Sequence, residues 1–172
     1  VKPDSPLDRC AWERGNSVYL PDRVVPMLPE GLSNGLCSLR PHEPRLTLVC
    51  DMKVTERGNV TRFEFYEAVI RSWQRLTYNR VQEFLDAGAL DVESEVQASL
   101  KELESVYHAL REAREARGAL DFDSHEAVLE LRDGHVAAIH PVTRKDAHRL
   151  IVEAMIAANV CAARFLEDME RP

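Results

Sequence analysis

Asp121 and Asp123 stand two residues apart in the segment Asp121-Phe122-Asp123. On an extended strand side chains repeat with period two, so the pair would share one face and could help bind a divalent cation. The bland alternative is a polar strand edge ahead of a turn. No denser carboxylate cluster of the DxDD kind, able to hold paired Mg2+, occurs in the chain. No GxSxG elbow marks a serine nucleophile, and neither a P-loop nor a GxGxxG run offers a phosphate cradle. The four cysteines, Cys10, Cys37, Cys50 and Cys161, lack CxxC spacing and matching histidines, which argues against a zinc site.

Nucleic-acid chemistry is the other possibility. The stretch Gly15 to Leu39 carries Pro21, Pro26 and Pro29 and a polar turn at Ser33-Asn34-Gly35. That punctuation fixes a backbone path instead of a helix. Tyr19 lies on it, and one exposed aromatic on such a path is a base-stacking platform, worth about 1–3 kcal/mol per base. Read alone, Tyr19 is better taken as a half-buried strand tyrosine with its hydroxyl bonded to a loop than as a stacking residue. Tyr78 reads as packing at a helix start. Arg71, Arg75 and Arg80 could line a phosphate track, or serve as ordinary solvated charge. The histidines are scattered, and His148 reads as a hydrogen-bonded helix residue.

The elements that must position these groups follow from periodicity. One turn of helix is expected around Leu7 to Glu13, a short strand over Ser17 to Leu20, and irregular chain over 21–44. Arg45 to Thr55 alternates, with Leu46, Leu48, Cys50, Met52 and Val54 on one parity, and Val60 to Arg71 alternates again. The intervening Glu56-Arg57-Gly58-Asn59 makes the pair a β-hairpin. Thr77 caps a helix running to about Asp86 that ends near Gly88. A second helix covers Glu93 to Arg117, buried through Val96, Leu100, Leu103, Val106-Tyr107 and Leu110, with its KELE and REAREAR face solvated. Ala119 to Phe122 reads as a strand. Asp133-Gly134 joins Glu126–Arg132 to His135–His140 as a second hairpin. A final helix spans Arg144 to about Asp168, buried through Ala147, Leu150-Ile151, Ala154-Met155, Ala158, Ala162 and Phe165-Leu166. The order predicts an α+β (mixed α/β) fold, hairpins packed by long helices.

Composition sets the outer bounds. The 172 residues suffice for one domain with a core, and 45% hydrophobic with 30% charged residues is a globular balance. No apolar run is long enough to span a membrane. The chain shows no signal-peptide pattern, so reduced cysteines and a cytoplasmic location are expected. The Asn59-Val60-Thr61 triplet reads as chance in that setting. The chain lacks an initiating Met and reads as an internal piece of a longer one. Its net charge of −7 disfavours nucleic-acid binding by the whole surface, while permitting a local basic channel.

An ordered series of segments carries a resemblance. Gly15-Asn16-Ser17-Val18-Tyr19-Leu20-Pro21, Val25-Pro26-Met27-Leu28-Pro29 and Leu32-Ser33-Asn34-Gly35-Leu36-Cys37-Ser38-Leu39 come first. Phe65-Tyr66-Glu67-Ala68-Val69-Ile70, Arg75-Leu76-Thr77-Tyr78-Asn79-Arg80-Val81 and Arg114-Glu115-Ala116-Arg117-Gly118 follow. Asp146-Ala147-His148-Arg149-Leu150-Ile151, Glu153 to Asn159 and Ala162-Ala163-Arg164-Phe165 close it. Together they resemble the ribonuclease II / ribonuclease R family, the RNB-domain 3′→5′ exoribonucleases, with the ribonuclease R branch nearer. The chain then corresponds to part of an RNB domain over residues 1–172, with a mixed sheet of hairpins packed by long helices.

What the resemblance implies is a processive hydrolytic exoribonuclease that threads single-stranded RNA 3′ end first and releases nucleoside 5′-monophosphates. Mg2+ would be its cofactor, held by an aspartate motif lying before Val1, so the isolated chain would be inactive. Tyr19 matches the family aromatic that stacks on a base beside the cut, and Phe122 a second aromatic clamping the terminal base. The family's Glu-Glu pair on the last helix is Val152-Glu153 here, leaving Glu153 as the acid approaching the terminal nucleotide. The alternative is a non-catalytic RNA-binding or interaction module with RNB architecture. No oligomeric state is assigned.

Overall fold

The structure is a computed structural model. It describes residues 1–120, 126–133 and 135–171; the side chain of Glu126 is outside that description. The predicted strand over Ala119 to Phe122 falls partly outside it: Ala119 and Leu120 are not in a strand, and 121–122 are not described.

The N-terminal part is more ordered than expected. Helix α1 runs Pro6–Arg14, with Pro6 in its first turn and the Ser5 hydroxyl accepting a hydrogen bond from the Asp8 amide at 3.2 Å. Strand β1 (Val18–Tyr19) falls within the expected short strand and has its partner in the stretch expected to be irregular. It pairs antiparallel with β2 (Val24–Val25), Tyr19 opposite Val24. The Leu20 amide closes the turn onto the Arg23 carbonyl at 2.8 Å. Pro21 fits there because its ring presets the backbone angle of a turn residue. A π-helical segment, Gly31–Leu36, also replaces expected irregular chain, and its N-terminal amides, Leu32 and Ser33, bond back to the Pro29 carbonyl.

Strands β3 (Pro44–Val54) and β4 (Val60–Arg71) form the predicted long hairpin, with Cys50 opposite Phe65 and Leu46 opposite Val69. Gly58 shapes its turn at φ 71°. A Cβ there would lie 2.0 Å from the Ala109 carbonyl oxygen, so glycine is what allows the turn to rest on the helix behind it. Helix α2 (Tyr78–Ala87) starts at Thr77, whose hydroxyl accepts from the Arg80 amide, and stops at left-handed Gly88. Helix α3 runs Ser94–Ala116, the second hairpin is β5 (Glu126–Arg132) with β6 (His135–Val142), and α4 spans Asp146–Asp168.

The α+β class and the element order agree with the sequence reading. The strands form three separate two-stranded antiparallel ladders among the described residues, joined to no wider mixed sheet. A lone parallel bridge, Pro41 to Ser72, is the one parallel contact among them.

The core lies where α4 packs on α2 and α3, around Phe84, Leu100, Tyr107, Leu110, Leu150 and Cys161. The buried face of α4 differs from the predicted one. It comprises Ala147, Leu150, Glu153, Ala157 and Cys161, while Met155 is mostly exposed and Ile151 and Phe165 are partly so. Its apolar residues spread well beyond one narrow stripe, so periodicity set its rotation only loosely; packing against α2 and α3 selected the buried face. The hairpin joins this core at one end, where Phe65 meets Phe165 at 5.3 Å between ring centres. Cys50, Met52 and Val54 are part-covered there, whereas Leu46 and Leu48, of the same parity, project past the helices into solvent. Among the described residues no helix is long and apolar enough to cross a membrane.

Candidate nucleic-acid interface

Tyr19 sits in the two-residue strand β1, on a hairpin too short to bury it. Its side chain is 79% exposed. The half-buried strand tyrosine, one of the two sequence readings, is therefore not what the fold makes. Val18, Leu20, Val24 and Val25 around it are also open to solvent. Arg14 fixes the base of this hairpin by donating to the Pro26 carbonyl at 2.6 Å, and the Ser17 hydroxyl accepts from the Met27 amide at 3.0 Å.

Glu153 has the opposite environment. It faces inward from α4, 3% exposed, with Oε1 2.8 Å from Arg114 Nε of α3. A buried carboxylate is tolerated because a guanidinium answers it. The principal packing contacts among the described residues are within each hairpin and of α4 with α2 and α3. The hairpin carrying Tyr19 is thus not packed as a unit on the helix carrying Glu153. Phe122, like Asp121 and Asp123, lies outside the described residues.

The starts of α2 and α4 are tied together. The Tyr78 ring stacks on His148 with centres 4.2 Å apart. Lys145 donates to the Asn79 side chain at 2.7 Å, and the Ala147 amide donates to the Gln82 side chain at 3.1 Å. His148 Nδ1 accepts from the Lys145 amide at 3.2 Å. Tyr78 is a helix-start packing group and His148 a hydrogen-bonded helix residue, as the sequence suggested, and the stacking of the two was not foreseen. Arg71 donates to the His42 carbonyl and Arg80 to the Asp91 carbonyl, so both are engaged by the fold.

Two charge networks went unread in the sequence. In one, Arg114 leaves the supposedly solvated REAREAR face to meet Glu153. In the other, Arg111 donates to the Tyr107 hydroxyl at 2.9 Å, and that hydroxyl donates to Asp146 at 3.1 Å, which also accepts from Arg149 at 3.1 Å. Burial works to raise the Asp146 carboxyl, but the hydrogen bonds from Arg149 and Tyr107 outweigh it and hold it below its ordinary value. Burial pushes the Tyr107 hydroxyl up. The available signal was spacing: Tyr107, Arg111 and Arg114 recur at i, i+4, i+7 and so share a helix face with the core.

All four cysteines are free. Burial, and then the neighbouring Cys161 of α4, push the Cys50 thiol up. Among the described residues no three His, Cys, Asp or Glu side chains converge as a metal site.

Residues 1–172 match the family description "RNB domain". Ribonuclease R of Escherichia coli (strain K12) is 46% identical over 175 residues, covering 100% of this chain and 22% of that protein. The fold superposes on Mycoplasma genitalium RNase R in complex with ribose methylated single-stranded RNA with a TM-score of 0.94. The sequence identity there is 31%, over 99% of this chain and 27% of that one. The same enzyme in complex with double-stranded RNA gives 0.95 at 30% identity, over 99% of this chain and 31% of that one. The chain spans about a fifth of the length of the Escherichia coli relative.

Proposed function

This chain belongs to the RNB-domain family, and from that premise we propose that it is the RNA-guiding part of a processive, hydrolytic 3′→5′ exoribonuclease of the ribonuclease R type. The whole protein would degrade single-stranded RNA to nucleoside 5′-monophosphates in the cytoplasm. The observation that carries the reading is the exposure of Tyr19, 79%, on a hairpin whose base is held by Arg14 and Ser17. A base stacks on an aromatic face whatever its identity, so the grip is independent of sequence. A fixed stacking residue also sets register, because the terminal base cannot slip past it while the scissile phosphate waits at the reacting groups.

Glu153 enters this reading as an indirect group. Buried against Arg114, it holds α4 at a set height on α3 and leaves contact with RNA to its neighbours. Phe122 remains the proposed second clamp on the terminal base. Mg2+ dependence is proposed from the family resemblance. Among the described residues no three His, Cys, Asp or Glu side chains form a ligand set for it.

The test is a nuclease assay on the full natural chain with 3′-end-accessible single-stranded RNA and Mg2+. Stepwise release of 5′-monophosphates, abolished by EDTA or by a blocked 3′ end, is expected. Internal cleavage would overturn the reading. RNA binding without any hydrolysis would move the protein to the non-catalytic class. The 172 residues alone are expected to be inactive in the same assay.

A further inference from the structure

A cleft of about 250 Å3 opens between the β3–β4 turn, the C-terminal half of α3 and the middle of α4. It is smaller than the ~300–1,000 Å3 usual for drug-sized ligands. Its polar lining is Asn59 from the turn, Arg117 from the end of α3, and Glu153 and Arg164 from α4, over an apolar wall that includes Ala157 and Val160. The carboxylate of Glu153 lies against Arg114, so it does not oppose an anion at full strength. Arg117 and Arg164 have no ion-pair partner among the described residues. Two arginines therefore line one recess on a chain whose net charge is −7.

We propose that this cleft is a phosphate-binding site in which Arg117 and Arg164 grip one phosphate group from opposite walls, with the Asn59 amide as a third donor. Guanidinium forks match phosphate oxygens two at a time, and an amide adds a neutral donor without another charge. The buried Arg114–Glu153 pair below sets the spacing of the walls. Gly58, wedged against Ala109, sets the position of the turn that carries Asn59. The recess suits a single phosphate, with or without an attached sugar, better than a stack of bases. The inference is independent of hydrolysis and needs only an anion of this chemistry, whether free or borne by RNA.

Calorimetric titration of the full natural chain with inorganic phosphate, 5′-AMP and a short oligoadenylate tests it. Inorganic phosphate is expected to bind, and the double variant Arg117→Gln/Arg164→Gln to weaken it at least about tenfold. Arg117→Lys/Arg164→Lys keeps the charge but loses the fork, and is expected to fall between. Arg62→Gln, on β4 beside Glu64, is expected to leave binding unchanged. Absence of phosphate binding, or equal binding by wild type and the glutamine variant at matched thermal stability, overturns the proposal. RNA binding without phosphate binding sinks the cleft and leaves the RNA-guiding role standing. Phosphate binding without RNA binding does the reverse and assigns the cleft to free phosphates.

Discussion

Arg114 of α3 and Glu153 of α4 form an ion pair across the helix interface, Nε to Oε1 at 2.8 Å, with the carboxylate almost wholly removed from water. The pair fixes how the two longest helices meet, and an acid that family resemblance placed near the substrate is held inside the protein.

Removing one partner leaves a charge without an answer in the interior. Arg114→Met is therefore expected to cost about 3–5 kcal/mol, read as a shift in the denaturant midpoint at constant slope. The double variant Arg114→Met/Glu153→Leu is expected to recover most of that loss. A single variant with wild-type stability would show that the pair does not hold the interface.

Gly58 and Gly15 share φ 71° but differ in surroundings. A Cβ at Gly58 meets the Ala109 backbone, while one at Gly15 meets nothing within 4 Å. Gly15→Ala is expected to cost about 1–3 kcal/mol, from backbone strain alone. Gly58→Ala should lose clearly more, because the turn must lift off α3. Equal thermal shifts in the two variants would contradict the wedge.

Asp146 carries a pH signature. Its carboxyl is held below the ordinary value of about 3.9, so folding favours its ionised form. The stabilisation is complete above that ordinary value and is lost as pH falls through the lowered one. The stability gap between wild type and Asp146→Asn should be full near neutrality and close in acid. Unfolding curves over a pH series check this, and a gap that widens on acidification would reject the assignment.

Tyr19 is exposed, so Tyr19→Ala should leave stability within about 0.5 kcal/mol. In the full natural chain the same change is expected to alter the length of the shortest product left from single-stranded RNA, since a stacking contact of about 1–3 kcal/mol is gone. Unchanged product lengths on a gel would return Tyr19 to a surface residue without a role in register.

By itself the sequence determined the element order. Thr77 and Gly88 bracket α2, Gly58 turns the long hairpin, and alternation marks β3 and β4; each is a local rule acting over a few residues. It also determined family membership, through ordered segments that run along nearly the whole chain. Tertiary structure decided what depends on partners distant in sequence. It rotated α4 so that Glu153 and Cys161 face inward, because apolar residues spread over a wide arc of a helix leave its exact rotation to the neighbours that pack on it. It drew Arg114 out of an apparently solvated run to meet Glu153, since a charge goes inside only where an opposite charge awaits it. It also set Tyr19 in the open: a two-residue strand buries a side chain only if another element covers it, and no described element does so at that ring.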